Sequence, residues 1–464
     1  MSRNAPITQA LKTRLRGTVV GADSDGFDQL RRVWNGAIDR RPCAIARCAD
    51  AHDVQLALQI ARDHHVEVTV RGGGHNVAGL AVRGGALLLD LGAMRAVSVN
   101  AQLRIATVEG GALWRDVDAA TAAAGLATTG GMISTTGVGG FTLGGGAGWL
   151  MRRHGLACDN LIGAHVVLAD GRSVSATAAE HPDLYWGLRG GAGGLGVVTD
   201  LELRLHPLSQ VYAGLVVFPG DQAAALLRRF RDFVEDAPDE FCGMIVMTSA
   251  PPLPFLDAAW HGRTVCIQAL CWSGAIEAGE RFLEPIRQAG ASLADVVAPI
   301  PYAQWQQMLD PSAPPGRYNY WKTANFAALD DEVIDLLCAA ADVRPTPFTE
   351  LHVQHMGGAV ARVAPPDSAF AHRDARFFVN LIGSAVERSH FENMRGWIRD
   401  LHTRLSAHAL AGKMPNFADH DDQDVIARFG RDHAGRLQDL RRRYDPDALF
   451  ARMRHPEGER FAEP

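Results

Sequence analysis

The stretch VRGGGHNVAG (residues 70–79) is the most informative part of the sequence for the fold. Three glycines in it lie between an apolar strand pattern at 66–70 and a single histidine. Glycine has no Cβ, so backbone N–H groups in this stretch can closely approach a large ligand. A Rossmann nucleotide site would need a helix directly after the strand and its glycine motif. No clear helical pattern follows here, so we exclude a Rossmann site and expect a different kind of cofactor loop.

A second glycine-rich stretch, GGMISTTGVGGFTLGGGAG (130–148), has nine glycines in 19 residues. Its glycines alternate with threonine, valine and phenylalanine, which favours loops and short extended turns over the start of a helix. The alternative is that these glycines only form tight turns. Two such segments in one region instead predict that backbone amides surround a long ligand with a pyrophosphate.

The composition excludes several classes of protein. The 464-residue chain has a formal net charge of −6 and no basic stripe with interleaved aromatic residues, so we expect no nucleic-acid partner. No apolar run reaches membrane-spanning length, and the first residues lack the apolar core of a secretion signal. The seven cysteines form no CxxC motif, which favours reduced thiols. We therefore expect a cytoplasmic protein without membrane contact.

Secondary-structure patterns change near residue 208. Before this point short strand patterns alternate with helical ones, and 161–176 has the pattern of a hairpin around Asp170 and Gly171. After it, five strand patterns and four amphipathic helix patterns predict one sheet with helices on one face. The strand patterns are 211–218, 243–249, 263–272, 348–356 and 376–386, and the helix patterns are 221–235, 276–289, 329–343 and 387–406.

Six motifs, in order along the chain, show a resemblance to a known family. They are VRGGGHNVAG (70–79), GGMISTTGVGGFTLGGGAGWL (130–150), HGLACDN (154–160), LYWGLRGGAGGLGVVT (184–199), MPNF (414–417) and RRRYDPDALF (441–450). With these motifs the chain resembles the flavin-dependent oxidoreductases of the vanillyl-alcohol oxidase superfamily, in the branch of berberine-bridge-like enzymes and 6-hydroxy-D-nicotine oxidase.

The resemblance implies an α+β fold with two domains. A two-subdomain FAD-binding (PCMH-type) domain would span 1–208 and be split near 108. A substrate domain at 209–411 would contain an antiparallel sheet covered by helices. A C-terminal segment at 412–464 would return to the FAD domain.

The same resemblance implies that FAD is bonded covalently to the ring of His75, with an ordinary loop histidine as the alternative. Some relatives have a second tether through a cysteine, and that position is Ile133 here, so we expect a single tether. The residues implied to bind the cofactor are Val70, Arg71, Gly72, Gly73, Gly74, His75, Asn76, Gly79, Gly130, Gly131, Thr135, Thr136, Gly137, Gly139, Gly140, Gly144, Gly148, Gly196, Val198, Asn416 and Phe417.

The stretch TELHVQHM (349–356) alternates like a strand whose polar face consists of Glu350, His352 and Gln354. In the resembling enzymes the equivalent strand faces the flavin, where a group must take a proton while hydride leaves the substrate. We therefore predict these three as catalytic residues, with a solvated strand face as the alternative. Thr136 is a fourth candidate, because its hydroxyl would hydrogen-bond the flavin ring or orient dioxygen, unless it only forms a turn.

The stretch RYNYWKT (317–323) contains aromatic residues suited to stacking on a planar substrate. Tyr318, Tyr320 and Trp321 are the predicted substrate contacts, and packing in the core is an equal alternative.

No metal site is expected. His352 and His355 would lie on opposite faces of a strand, which excludes a joint metal pair. The stretch FADHDDQD (417–424) has one histidine and no partner pair, so we predict a solvated acidic loop there.

We expect an FAD-dependent oxidase with covalently bound flavin, which transfers hydride from a small aromatic, alkaloid or polyketide-type substrate to FAD and is reoxidised by dioxygen. Many relatives have a tyrosine base at the position of Met414, so its role would pass to the Glu350 strand. One alternative is a flavin-dependent monooxygenase of a biosynthetic pathway that uses a flavin–oxygen adduct. Another is a non-redox, flavin-carrying cyclisation scaffold. The expected partners are a small-molecule substrate and dioxygen, and the expected assembly is a monomer or homodimer.

Overall fold

A computed structural model describes residues 5–422 and 429–451 of the chain. These residues form sheets of four, five and eight strands and one short two-stranded pair. Helices cover the sheets, so the α+β fold class predicted from the sequence is confirmed.

The first unit is a small sheet with helices packed against it. In chain order it comprises α1 (Ala5–Arg14), β1 (Thr18–Gly21), α2 (Phe27–Leu30), β2 (Ala44–Arg47), α3 (Ala51–Asp63), β3 (Val68–Arg71) and β4 (Leu87–Asp90). The strand order is β1-β2-β4-β3, and β2, β4 and β3 are parallel. Helix α3 begins where the Asp50 side chain accepts the backbone N–H of Asp53, and its apolar face is buried in the core of this unit.

The end of the described chain returns to this first sheet. Val68 in β3 forms a parallel bridge with Phe450. Its N–H donates to the Leu449 carbonyl at 2.8 Å, and its own carbonyl accepts the Ala451 N–H at 2.9 Å. The C-terminal residues therefore lie beside the strand that leads into the 70–79 loop, while the domain boundaries themselves stay a prediction.

The second unit is an antiparallel sheet in the order β5-β6-β10-β8-β9, in which the hairpin predicted at 161–176 is present as β8 and β9. Its core also buries side chains of α4, α5, α7 and the C-terminal helix. The elements are β5 (Val97–Asn100), β6 (Ile105–Glu109), α4 (Trp114–Ala122), β7 (Leu126–Ala127), α5 (Val138–Leu143), α6 (Met151–His154), β8 (Leu161–Val167), β9 (Ser173–Thr177), α7 (Pro182–Leu188), β10 (Val197–Arg204) and β11 (His206–Pro207).

The third unit is the eight-stranded antiparallel sheet, with the strand path β15-β12-β14-β13-β18-β19-β17 and β16 paired to β12. Its elements, with the C-terminal helix that packs on the second unit, are β12 (Gln210–Pro219), α8 (Ala223–Phe233), β13 (Phe241–Ser249), β14 (Thr264–Trp272), α9 (Ile276–Arg287), β15 (Ala294–Asp295), β16 (Ala298–Pro301), α10 (Tyr302–Trp305), β17 (Tyr318–Phe326), α11 (Asp331–Asp342), β18 (Glu350–His355), α12 (Ala359–Arg362), β19 (Phe377–Ala385), α13 (Phe391–Ser406) and α14 (Arg431–Tyr444).

The two faces of the large sheet have different neighbours. Helices α8, α9, α11 and α13 cover one face and share a hydrophobic core with it, as the sequence pattern predicted. The other face packs partly against the second unit and partly borders a cavity. Among the described residues, no helix combines the length and the apolarity needed to cross a membrane.

One local expectation from the sequence was wrong, and one strand was not predicted. The 130–148 stretch, expected to contain only loops and turns, includes helix α5, because the glycines at 139 and 140 have helical backbone and tertiary packing outweighs their low helix propensity. The stretch 317–323, considered only as an aromatic group, is part of strand β17, which closes one edge of the large sheet.

A buried ion pair joins the third unit to the second unit. Arg373, between α12 and β19, donates two hydrogen bonds to the Asp159 carboxylate, at 2.9 and 2.8 Å. The side chains are only 4% and 5% exposed. A charge left without its partner at such a depth destabilises a fold strongly.

We expect Arg373→Met to lower the free energy of unfolding by about 3 kcal/mol, because it leaves the Asp159 carboxylate buried with weaker compensation. Urea-induced unfolding, followed by circular dichroism, measures the change. Arg362→Met is the matched control, since Arg362 pairs with Asp239 at the surface and is 61% exposed. Its loss should cost less than about 1 kcal/mol. Equal effects of the two substitutions would contradict the expectation.

Candidate active site

A cavity of about 900 Å³ lies between the two glycine-rich loops and the uncovered face of the large sheet. It extends from the loop after β3 to strands β17, β18 and β19. Of the predicted cofactor residues, those that line it are Val70, Gly72, Gly73, Gly74, His75, Asn76, Gly131, Thr136, Gly137, Gly139, Gly140, Gly144, Gly196, Val198, Asn416 and Phe417. The two loops singled out in the sequence therefore form one wall of a common site.

The two loops touch through glycine backbone. A Cβ on Gly73 would lie 2.3 Å from the Gly137 nitrogen, and a Cβ on Gly137 would lie 2.2 Å from the Gly73 nitrogen. Any other residue at either position would force the loops apart. These two glycines are therefore required for contact between the loops. This role is separate from leaving room for a ligand.

His75 lies two residues after this contact and faces the cavity. Its Nε2 atom lies 2.8 Å from the Thr135 hydroxyl, and its ring stacks on Trp34 with centroids 5.2 Å apart. Burial lowers the pKa of His75 to about 4, so the imidazole is neutral near pH 7. A neutral ring keeps one nitrogen lone pair, and the contact with Thr135 leaves Nδ1 as the nitrogen for another bond.

Strand β18 presents the predicted polar face to the cavity. Glu350, His352 and Gln354 line it, whereas Leu351 and Val353 are buried in the core beneath the helices. His352 Nε2 lies 2.7 Å from Glu350 Oε2, and both side chains are partly buried. The pair is therefore placed to accept or return a proton at the cavity surface.

Side chains of the neighbouring strands β19 and β17 extend this polar face into one wall of the cavity. Asn380 on β19 lies opposite His352, and Trp321 on β17 lies in the next row beyond Ile382 and Glu350. The Asn380 side chain is buried, and its Oδ1 has no hydrogen-bond partner among the described residues. An unpaired buried amide that borders a cavity is a ready partner for a ligand.

Aromatic rings form the apolar part of the same wall. Phe417 stacks on Trp321 at 6.0 Å and contacts Phe378 at 5.2 Å between centroids. Trp34 meets the Trp321 ring edge-on at 5.5 Å. The cavity therefore has flat apolar surfaces on which a planar molecule can stack.

Tyr318 and Tyr320 are not in this wall, which corrects the prediction that they contact substrate. Side chains alternate along β17, so Trp321 faces the cavity while Tyr318 and Tyr320 face the helices. Tyr320 is fully buried, and its hydroxyl donates to Asp421 at 2.6 Å. The alternative interpretation, packing in the core, holds for both tyrosines.

Five predicted cofactor residues do not line the cavity. Arg71 pairs with Asp90 at 2.9 Å beneath the loop. Thr135 contacts the ring of His75 through its hydroxyl. The other three are glycines demanded by protein packing: a Cβ would clash with Ile38 at Gly79, with Trp114 at Gly130 and with the Gly130 carbonyl at Gly148. The position of a glycine in a motif does not show whether its small size leaves room for a ligand or for neighbouring protein atoms.

Asn380 and Trp34 are among the cavity residues that were not predicted from the sequence. Asn380 had a signal, since it is one polar residue within the apolar run FFVNLI (377–382) of a strand. Trp34 had none, because it lies in an irregular segment between α2 and β2, with no periodicity to orient its ring.

The acidic stretch at 417–424 is not a solvated loop over the part that the structure describes, which ends at Asp422 and excludes 423 and 424. Lys322 pairs with Asp421 at 2.5 Å and with Asp422 at 2.8 Å, and Arg399 also pairs with Asp421 at 2.7 Å. Burial opposes the charge on Asp421, but Lys322, Tyr320 and Arg399 together outweigh it and hold the pKa of that carboxyl below its usual range. Ligand atoms of Asp419, His420 and Asp421 converge within 4.8 Å, yet these basic side chains already balance the local charge.

Comparisons with known proteins agree with this architecture. Residues 42–177 match the family described as FAD binding domain. An FAD-linked oxidoreductase of Dictyostelium discoideum is 29% identical over 445 residues, which cover 94% of this chain and 93% of that protein. The structure of 6-hydroxy-D-nicotine oxidase from Arthrobacter nicotinovorans superimposes with a TM-score of 0.84 at 26% identity, over 94% of this chain and 96% of its own.

The chain is an FAD-linked oxidoreductase. Its similarity to 6-hydroxy-D-nicotine oxidase agrees with the resemblance of its sequence motifs to the vanillyl-alcohol oxidase superfamily and the berberine-bridge-like branch. A glucooligosaccharide oxidase from Acremonium strictum also superimposes, with a TM-score of 0.82 at 25% identity over 96% of this chain and 98% of that one. That protein is described with a 6-S-cysteinyl, 8α-N1-histidyl FAD.

The residues of this oxidoreductase fit FAD at the cavity. Gly140 and Gly193 border it, and a Cβ built on either glycine would meet no atom within 4 Å. Bare backbone thus forms a cradle that side chains would fill. Gly193 also has a φ of +83°, a conformation that glycine adopts without strain.

Gly140→Leu tests this cradle. Gly140 has helical backbone, so the fold should tolerate leucine, while the added side chain projects into the cavity. We expect the flavin content of the purified protein to fall at least about fivefold, as an overpacking cost of 1–3 kcal/mol implies. The ratio of flavin to protein absorbance measures it. Gly435→Leu in α14 is the matched control, because its Cβ also meets nothing within 4 Å but lies outside the cavity. Full flavin content in Gly140→Leu would contradict the assignment.

Proposed function

We propose that this oxidoreductase is an oxidase whose FAD is attached to His75 by a single covalent bond. The observation that supports the attachment most directly is the state of His75. It is a partly buried, neutral imidazole at the meeting point of both glycine-rich loops, and Thr135 contacts its Nε2. We propose Nδ1 as the attached atom, since it is the ring nitrogen that remains.

The cysteines support a single tether. None of the seven lines the cavity, and Ile133 does line it where some relatives have the second attachment. Cys158 is fully buried, and burial raises the pKa of its thiol well above the ordinary value. A buried, protonated thiol is a poor nucleophile, so it offers no second bond.

Bound FAD would accept hydride from the substrate and pass the electrons to dioxygen, which yields hydrogen peroxide. The protein supplies position and proton transfer. Glu350 and His352 would take the proton from the substrate O–H, N–H or C–H group, with the carboxylate stabilising the imidazolium that forms. Gln354 and Thr136 line the same cavity and stay candidates for orienting substrate and dioxygen.

The substrate would lie against the aromatic wall. Trp321, Phe378 and Phe417 offer flat apolar surfaces, and the unpaired amide of Asn380 offers a hydrogen bond beside His352. This combination suits a small aromatic, alkaloid or polyketide-type molecule with a polar substituent. Asn416 braces the site: its Oδ1 accepts the Gly146 N–H, and its Nδ2 donates to the Phe141 carbonyl, both at 2.9 Å.

His75→Ala should release the flavin on acid denaturation, because the alanine variant has no nitrogen to hold it. Wild-type protein precipitated with acid should give a yellow pellet, and the His75→Ala pellet should be colourless with flavin in the supernatant. His165→Ala is the control, since His165 is an exposed histidine on β8 outside the cavity. Yellow pellets from both variants would mean that another residue carries the tether.

Glu350→Gln and His352→Ala should each slow flavin reduction by about 10²-fold, the usual contribution of a positioned acid–base group. The substrate comes first from a screen of aromatic alcohols, amines and phenols for peroxide release, at one peroxide per substrate oxidised. Anaerobic stopped-flow absorbance then measures the reduction rate.

The control for this pair is Glu332→Gln, because Glu332 and His408 form a comparable but exposed pair, 3.8 Å apart on the helical side of the large sheet. The double variant should lose little more than either single one, since the two residues act as a unit. Unchanged reduction rates in both single variants would show that the proton-accepting group lies elsewhere.

A further inference from the structure

Trp34 is held in place by contacts from both sides of the active site. Its backbone N–H donates to the Gly74 carbonyl at 3.1 Å, in the loop that carries His75. On the substrate side, its carbonyl accepts the Gly316 N–H at 2.9 Å, and its indole Nε1–H donates to the Ala313 carbonyl at 2.9 Å. Only 7% of the residue is exposed. Protein contacts alone therefore fix the position of the indole, without a ligand.

The fixed indole restrains the ring of His75. The two rings are 5.2 Å apart between centroids and only 19° from parallel. The χ2 torsion of histidine is broad and roughly two-fold, so an unrestrained imidazole would rotate. The contact at Nε2 with Thr135 fixes one edge of the imidazole, and the stack on Trp34 fixes its plane. Together they leave one direction for Nδ1.

We propose that Trp34 is the positioning residue for covalent flavin attachment, because its stack holds the His75 imidazole in the plane from which Nδ1 meets the ring methyl carbon. This inference rests on the proposed attachment to His75. The net reaction forms the N–C bond and removes one hydrogen from the methyl group and one from the imidazole. Dioxygen takes both hydrogens with two electrons and becomes hydrogen peroxide, so atoms and electrons balance.

A second consequence concerns the order of assembly. Gly316 and Ala313, which hold Trp34, come directly before β17 of the large sheet. Asn35 beside Trp34 adds two hydrogen bonds to Asn319, one to its carbonyl and one from its N–H, both at 2.9 Å. These bonds complete the restraint on Trp34 only when the large sheet is packed against the glycine-rich loops, so we expect attachment to follow that packing.

The test compares Trp34→Ala, Trp34→Phe and Trp397→Phe in the full-length protein. Each variant is saturated with FAD, desalted to measure total bound flavin, and sampled over time for acid-stable flavin. Trp34→Ala should attach flavin at least about tenfold more slowly than wild type, since small misplacements of reacting atoms cost this much or more. Total bound flavin should change little. Trp34→Phe retains a stacking ring and should restore the rate to within about threefold of wild type.

Trp397→Phe is the matched control, because Trp397 is a partly buried tryptophan on α13 that packs on the helical side of the large sheet and does not line the cavity. It should attach flavin at the wild-type rate. Thermal melting of every variant separates positioning from folding: a structural role would lower the melting temperature and total flavin together, and phenylalanine would not rescue attachment.

The outcomes separate this inference from the proposed function. Acid-soluble flavin in wild-type protein would overturn both the tether and the inference. Acid-stable flavin in wild type, lost in His75→Ala, together with an unchanged attachment rate in Trp34→Ala, would overturn the inference and leave the tether intact. Loss of total flavin in Trp34→Ala without rescue by phenylalanine would also overturn it.

Discussion

Backbone contact between Gly73 and Gly137 is the constraint on which the active site depends. The two glycines belong to different units, one following β3 of the first sheet and the other preceding α5 of the second. No side chain fits between them, since a Cβ on either would lie within 2.3 Å of the opposite nitrogen. Because the loops touch there, His75 and Thr135, each two residues away, come within hydrogen-bond distance.

This geometry also sets the chemistry of His75. His75 is partly buried where the loops meet, and this burial lowers the pKa of the imidazole to about 4, so the ring stays neutral near pH 7. Thr135 and Trp34 then fix its orientation from an edge and a face. Gly140 in the second loop and Gly193, which lies between α7 and β10, border the cavity, where bare backbone makes room for a large cofactor.

The large sheet divides its residues between a core and a cavity. Alternation along β17 and β18 places Trp321, Glu350 and His352 in the cavity wall, while Tyr320 and Leu351 are buried under the helices. Four helices anchor the covered face, so the other face can keep polar groups and one unpaired amide at Asn380. Because the helices stabilise one face of the sheet, Asn380 Oδ1 can remain without a hydrogen-bond partner on the cavity face. A substrate can supply that hydrogen bond.

Sequence periodicity and motifs determined the fold class, the hairpin at 161–176, the one-sided helical cover of the large sheet and the polar face of β18. These features follow from local rules, because strand alternation and helical spacing place side chains without knowledge of distant residues. Only the tertiary structure shows which glycines border the cavity and which pack against other protein atoms. It also shows that Tyr320 points towards Asp421 and away from the cavity. It also decided that Trp34 covers His75. Each of these contacts joins residues far apart in the chain, so their relative position exists only after the sheets have packed together.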